Sequence, residues 1–498
     1  MFEGRAEWAR KAVTADYIVF HAAERPDAIA LMVRGRAVSY AQMSGDLRRF
    51  TGALRALGLT AGSAAAVGCD DLYVHLLLLL ALERLGVVST SYRAEESEAA
   101  APLLASADLV LSEPHFPTAE SKRHHVITPG WLSGVLTRTE DAESIAPGAP
   151  DDPIRVIRTS GTTGRSKRLL LLRAVQDAWI DRWIWFLTLT RASRYLLTMP
   201  LAVNAVYTVV AAVLRAGGTV VCDVFESSTV LARAITAASI TDIVLLPIHL
   251  KQLLDSLPAD FEKPPGLTVT IIGGAAPEVL RKQAMGRLAS EMIIGYGANE
   301  MPFITQMRST SREGIGIVLP WVRAEVVDDN DRPLPAGALG RIRARTDIMA
   351  TGYIGDPEAS RRMFRDGWFY PGDVGILHGG RQLQVIGRAD DLLNIGGNKL
   401  SPSMLEGLIL RHVTIGDVGV CSMRNSQGIE EVCVALVNPS EPEQELIARI
   451  AAAFSRLQLG KYHLVQLDRI PRNAVGKIER GRLKDAVAAL MAHVGPGS

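Results

Sequence analysis

This chain has no excess of charge of either sign. Its 498 residues carry 54 Lys and Arg against 53 Asp and Glu, a formal net charge of +1. That leaves no electrostatic footprint for nucleic acid or for an anionic membrane surface. Cysteine is scarce too: Cys69, Cys222, Cys421 and Cys433 are scattered, with no CxxC pair and no His at metal-ligand spacing. A disulfide framework and a zinc cluster are therefore excluded, and the four read as reduced core thiols. Long apolar runs are also missing. The most apolar stretch, "LLLLLALERLG" from Leu76, meets Glu83 and Arg84 after seven apolar residues, whereas about 20 are needed to cross a bilayer. The opening "MFEGRAEWARKAV" puts charges where a secretory signal needs an apolar segment. The expectation is a cytoplasmic chain with neither nucleic acid nor membrane as partner.

The hydrophobic share of 48% and charged share of 21% are those of an ordinary globular protein, and the length calls for two or three structural units. Short apolar bursts alternate with helical patterns over the first 300 residues: "AAAVGC" (64–69), a helix over 71–86, "VVSTSY" (87–92), "RYLLTMP" (194–200), "GGTVVCDVF" (217–225), "ITDIVLLP" (240–247) and "LTVTIIGG" (267–274). This rhythm predicts helix-covered, mostly parallel sheets, whose ligand crevice lies beyond the carboxyl ends of the strands. "IIGG" and "IIGYGANE" are expected to be Gly-rich turns at such ends. Beyond about residue 320, short strands with charged turns predict a small antiparallel subdomain. The tail reads as a separate small α+β domain. The predicted fold class is α/β, with a large N-terminal domain at 1–388 and a small mobile C-terminal domain at 389–498.

One run stands out, "RTSGTTGRSK" at 158–167. Two glycines in four residues let successive N–H groups turn into one concavity, the Ser and Thr hydroxyls add donors, and Lys167 adds a mobile cation. The GxxxxGK[ST] pattern is absent, so the run is either a different phosphate loop or a plain polar loop between buried segments. It has company in sequence order: "GGAAP" (273–277), "YGANE" (296–300), "TGYIGDPEAS" (351–360), "DGWFYPGDVG" (366–375), "GRADDLLNIGGNKLSPSMLE" (387–406) and "PRNAVGKIER" (471–480). This set, in this order, resembles the adenylate-forming superfamily: acyl- and aryl-CoA synthetases, peptide-synthetase adenylation domains and luciferases. The resemblance covers nearly the whole chain.

The resemblance implies an enzyme that attacks the α-phosphate of ATP with a carboxylate, releases pyrophosphate and passes the acyl group from the adenylate to a thiol. Thr159, Ser160, Gly161, Thr162, Thr163, Gly164 and Lys167 would wrap the β- and γ-phosphates. Gly274 and Ala275 would border the base, and Tyr296 would stack on adenine with Gly297 beside it. Asn299 would donate to the α-phosphate and Glu300 would bind Mg²⁺, a cation suited to carboxylate oxygens. Asp373 would accept the two ribose hydroxyls, with Arg388 nearby. Lys477 would bridge carboxylate and α-phosphate as the catalytic cation. Asp390 would be the hinge of the mobile domain, and Gly396 and Gly397 would line the thiol's pantetheine tunnel. Plainer readings stand beside these. Asp373 and Asp390 suit turns, Glu300 a solvated surface, Tyr296 core packing, Lys477 any surface, and Gly396 and Gly397 a tight turn.

Departures from the family pattern cluster around the loop and the acid. Ser166 and Arg168 replace the usual Pro and Gly, Arg173 a common His, and Met404 a common Glu. Val203 stands where an aromatic residue or His is usual, and Asn299 where Thr is usual. The stretch "MPLAVNAVY" (199–207) lacks the Asp that amino-acid-activating members keep, so an α-amino acid is disfavoured. A wall of Val203, Ala205, Val206 and Tyr207, with Asn204 as its polar residue, suits an aromatic or short-to-medium aliphatic acid. The acceptor is expected to be coenzyme A, the alternative being the phosphopantetheine of an acyl carrier protein. A non-catalytic nucleotide-binding relative is the competing class, suggested by Arg168, Arg173 and Met404.

Overall fold

The apolar run that begins at Leu76 is a core helix. In the computed structural model, helix Leu72–Arg84 has every residue from His75 to Glu83 buried, as expected of a helix apolar on all sides. Asp71 caps its start, accepting from the N–H groups of Tyr73 and Val74 at 3.0 Å each, and Gly86 follows its end with φ +70°, the left-handed turn that glycine adopts without a Cβ penalty. The structure describes residues 12–118, 123–140, 148–159, 167–222, 228–309, 314–395, 398–425, 430–439, 442–455, 457, 459, 461–472 and 478–493. Two compact units divide the chain: Met1–Val244 with Asn299–Pro302 and Asp347–Phe364, and Leu245–Ala298 with Phe303–Thr346 and Arg365–Ser498.

The first unit is built on two mostly parallel strand sets. One has the spatial order His124–Val126, Leu109–Ser112, Ala64–Gly68, Val88–Ser91, Pro153–Thr159, Lys167–Leu172. All its pairs are parallel except the last, a hairpin. The other runs Asp242–Leu245, Arg194–Leu196, Thr219–Cys222, Ile29–Val33, with Arg36–Ser39 antiparallel at its edge. Helix Asn204–Arg215 is buried at all positions but Ala205, a second core helix. Among the described residues no helix is long and apolar enough to cross a membrane.

In the second unit Thr268–Ile271 and Glu291–Ala298 pair in parallel. The predicted antiparallel region follows, with Arg323–Val327, Leu339–Arg345, Asp373–His378, Gln382–Arg388 and Ile315–Val318 paired in that order. The expectation of a Gly-rich turn in "IIGYGANE" is corrected. The strand continues through Gly295, Tyr296 and Gly297 to Ala298, and the turn is at Asn299 and Glu300.

The tail has its own sheet. Ile415–Arg424 and Glu430–Pro439 pair antiparallel, and Tyr462–Gln466 adds a parallel strand. Alternate residues face opposite ways. Val418, Val420, Val432 and Val434 meet Leu405, Ile409 and Ile450 on one face. Cys421, Cys433 and Ala435 meet Ile470, Leu483 and Val487 on the other. None of the four cysteines is in a disulfide, and all are buried. The fold class is thus mixed α/β, a large N-terminal part of helix-covered sheets followed by a smaller α+β part.

Candidate active site

The stem of the "RTSGTTGRSK" loop is the hairpin of Pro153–Thr159 and Lys167–Leu172, with Thr159 opposite Lys167. Ser160, Gly161, Thr162, Thr163 and Gly164 lie outside the described residues. Two residues 140 positions further on sit beside the stem: Asn299 Nδ2 donates to the Arg158 carbonyl at 3.2 Å, and Glu300, buried, follows it. The Glu300 carbonyl accepts from Ala350 N–H at 3.0 Å, and its carboxylate accepts from the Tyr353 hydroxyl at 2.6 Å. Residue 353 forms a β-bridge with Leu169, and Ile354 N–H donates to the Arg168 carbonyl at 2.8 Å. The Lys167 ammonium sits 4.7 Å from the Tyr353 ring centroid. Burial and then the Glu300 charge push the Tyr353 phenol above its ordinary range, so it stays protonated and can donate. Thr159, Lys167, Asn299 and Glu300 therefore lie around one hairpin, and Tyr353, which the sequence reading quoted without a role, joins them.

In the second unit Gly273, Gly274 and Ala275 are exposed just past strand Thr268–Ile271. Gly273 has φ +77°, and a Cβ there would lie 2.8 Å from Leu246 Cδ2. Tyr296 and Gly297 occupy the end of the neighbouring parallel strand. The Tyr296 hydroxyl donates to Asp373 Oδ2 at 2.7 Å, and Arg388 Nη1 lies 3.5 Å from Asp373 Oδ1. Asp373 and Arg388 are register partners, and Arg388 also donates to the Pro371 carbonyl. Burial, and the Asp373 carboxylate beside it, push the Tyr296 phenol well above its ordinary value. Asp390 is exposed in the turn after Gln382–Arg388. Gly396, Gly397 and Lys477 lie outside the described residues.

The "MPLAVNAVY" stretch places Val203 at the start of helix Asn204–Arg215, half-buried, with Asn204 buried behind it. Tyr207 is fully buried and faces charge, not an apolar wall. Its hydroxyl donates to Glu83 Oε2 at 3.4 Å, and the Arg155 guanidinium lies 4.1 Å from its ring centroid. Glu83 Oε1 accepts from Gln176 Nε2 at 3.3 Å. Burial, with Asp177 adding to it, pushes the Glu83 carboxyl up to about 7. Burial, then the Arg155 charge, pulls His75 down to about 3, and its Nε2 pairs with Ser91 Oγ at 3.0 Å. Two of the unusual arginines are engaged in the fold. Arg168 donates to the Pro102 carbonyl at 3.2 Å, and Arg173 is buried. A further group of possible metal ligands, Asp70, Glu113 and His115, has its donor atoms within 4.8 Å of one another. It is tied up by its own bonds, His115 Nε2 to Asp70 at 2.9 Å and Asp70 N–H to Glu113 at 3.1 Å.

The family model described as AMP-binding enzyme matches residues 19–354. The chain belongs to the AMP-binding enzyme family. It is an enzyme of the adenylate-forming, acyl/aryl-CoA synthetase-like kind that the motifs led us to expect. It is 28% identical over 503 residues to the indoleacetate–CoA ligase of Aromatoleum aromaticum, covering 95% of this chain and 98% of that protein. It is 24% identical over 497 residues to a fatty acid–[acyl-carrier-protein] ligase of Streptomyces coeruleorubidus, covering 94% and 95%. Its fold is similar to that of o-succinylbenzoate CoA synthetase from Bacillus subtilis in complex with an acyl-adenylate intermediate, with TM-score 0.80, 21% identity and coverage of 94% and 98%.

Proposed function

We propose that this enzyme joins a carboxylic acid to coenzyme A through an acyl-adenylate, at the cost of ATP. A carboxylate resists thiol attack because its leaving group would be oxide, and conversion to a mixed anhydride with AMP removes that obstacle. The first step is displacement at phosphorus, where catalysis is mostly positioning and charge stabilisation. The observation that carries the reading is the convergence of Thr159, Lys167, Asn299 and Glu300 on one hairpin stem. On this reading the loop at 160–164 and Lys167 hold the β- and γ-phosphates, and Asn299 orients the α-phosphate. Glu300 fits Mg²⁺: among the described residues its one side-chain donor is a neutral phenol, and a carboxylate oxygen suits a hard cation. That ion would neutralise phosphate charge. Asp373 and Arg388 hold the ribose, Tyr296 covers the adenine, and Gly274, Ala275 and Gly297 border it. Lys477 steadies the pentavalent centre.

The second half-reaction is assigned to residues 389–498 as a mobile lid turning at Asp390, with Gly396 and Gly397 along the pantetheine path. Such closure gates the site and leaves the chemical barrier itself unchanged. The acid is proposed to be aromatic or short-to-medium aliphatic, bound near the half-buried Val203; Asn204 and Tyr207 are buried behind it, with Tyr207 turned to Glu83 and Arg155. A carrier-protein phosphopantetheine is the second reading of the acceptor, supported by the similarity to the fatty acid–[acyl-carrier-protein] ligase. The non-catalytic reading loses support, since Arg168 bonds to Pro102 and Arg173 is packed in the interior.

ATP–pyrophosphate exchange over a panel of aryl, aliphatic and α-amino acids tests this, followed by product mass with coenzyme A and with a holo carrier protein. Exchange with an aryl or aliphatic acid and a coenzyme A thioester are expected. Exchange strongest with an α-amino acid would overturn the acid class, and no exchange with any acid would overturn the reaction.

A further inference from the structure

We infer that Tyr353 is a positioning residue that holds Glu300 and Lys167 apart and in register at the phosphate end of the site. The inference rests on the proposed roles of Glu300 as a divalent-cation ligand and Lys167 as a phosphate ligand. Three contacts meet on this one residue, two on its side chain and one on its backbone. Its hydroxyl donates to Glu300 Oε1 at 2.6 Å, within the short range of O–H···O⁻ bonds. Its ring face carries the Lys167 ammonium at 4.7 Å, a cation–π distance. Its backbone bridges Leu169, on the same strand and two residues beyond Lys167, so residues 167 and 169 share a face.

The ring itself cannot easily move. Tyr353 is 7% exposed and packs with Ile157, Leu169, Leu171, Trp179 and Ala350, and its N–H donates to Ser360 Oγ at 2.8 Å. The physical point is what the phenol prevents. An ammonium and a carboxylate this close to one side chain would ordinarily collapse into an ion pair, and each would then be spent on the other. Among the described residues no ion pair joins Lys167 to Glu300. A neutral hydroxyl fixes one oxygen of the carboxylate without cancelling its charge, and the ring face holds the cation on a soft contact it can leave for a phosphate. Serine or phenylalanine would supply only half of this. The stretch "TGYIGDPEAS" contains this tyrosine, but nothing within it points to a carboxylate 53 residues earlier in the chain.

The test is Tyr353→Phe, which keeps the ring and its packing and removes only the hydroxyl. Mn²⁺ binding in the presence of saturating ATP is read by electron paramagnetic resonance, and ATP binding in EDTA by calorimetry. Partners behind a metal ligand are worth about 10-fold to 100-fold in metal affinity, so Mn²⁺ is expected to bind about tenfold more weakly while metal-free ATP affinity stays within about twofold. Wild-type Mn²⁺ affinity in Y353F would overturn the inference. So would an equal loss of metal-free ATP affinity, which marks a merely structural role. Glu300→Gln run alongside separates the layers. If E300Q loses Mn²⁺ and Y353F does not, only the positioning role fails. If E300Q also binds Mn²⁺ as the wild type does, the metal role of Glu300 fails and the inference falls with it.

Discussion

Replacing Glu83 by glutamine should remove a pH dependence from the stability of the first unit. Glu83 is 3% exposed inside helix Leu72–Arg84, with Gln176 and Tyr207 as its donors at 3.3 and 3.4 Å. Burial raises its carboxyl from the ordinary 4.5 to about 7. Between those values the folded state keeps a proton that the unfolded chain releases, so stability is full below pH 4.5 and falls as pH rises through 7. At 1.36 kcal/mol per unit over about 2.5 units, the loss is about 3 kcal/mol by pH 8. Glutamine does not titrate, and its amide can donate to Gln176 Oε1, a buried acceptor that has no partner among the described residues. Glu83→Gln should therefore match the wild type near pH 4 and exceed it by up to about 3 kcal/mol at pH 8. Hydrogen exchange of the Leu72–Arg84 amides, corrected for intrinsic rate, reads the opening free energy where the change is made. Asp242, raised by burial to about 6, titrates in both proteins and cancels in the difference. Parallel pH profiles for the two proteins would refute the reasoning.

Lys477→Ala should lower pyrophosphate exchange by about 10²-fold to 10³-fold, the usual worth of one transition-state charge contact, while ATP still binds in a calorimeter. Undiminished exchange would remove Lys477 from the mechanism. Asp373→Asn should weaken ATP binding by about tenfold or more, as expected for hydrogen bonds to a charged acceptor, and unchanged affinity would exclude the ribose role. Gly68→Ala would place a Cβ 2.5 Å from Phe116 Cδ1 and 2.6 Å from Tyr92 Cζ. Overpacking of that kind costs about 1–3 kcal/mol, so the melting temperature should fall, and an unchanged melt would mean that Phe116 and Tyr92 give way freely.

The parts of the fold legible in the sequence were those with local causes. Asp71 before an apolar run and Gly86 after it mark a helix in any context, and the β–α rhythm from Ala64 to Ile271 follows from periodicity alone. The candidate site residues that carry motif signals, such as Asp373 and Arg388 or Asn299 and Glu300, were nameable because short stretches hold them. Contacts across long separations were not. Glu83 looked like the charge that interrupts an apolar run, because its donors lie 93 and 124 residues away. Tyr207 looked like an apolar wall because nothing near it in sequence announces Arg155. The stretch to Ala298 was misread as a turn since Gly295 and Gly297 break strands locally; parallel pairing with Thr268–Ile271 ends at Ile294, and the strand's other neighbour in the sheet is Met301–Arg308, which nothing in the local pattern announces.

Both oxygens of Asp373 already have company, a phenol on one and a guanidinium by the other. On the proposed ribose role of Asp373, an arriving sugar hydroxyl would swap one bond for a similar one, so recognition would rest on exchange and the net grip would stay moderate. A catalyst that must discard AMP after every cycle benefits from such a seat, because the departing product is replaced at once by groups that never left the neighbourhood.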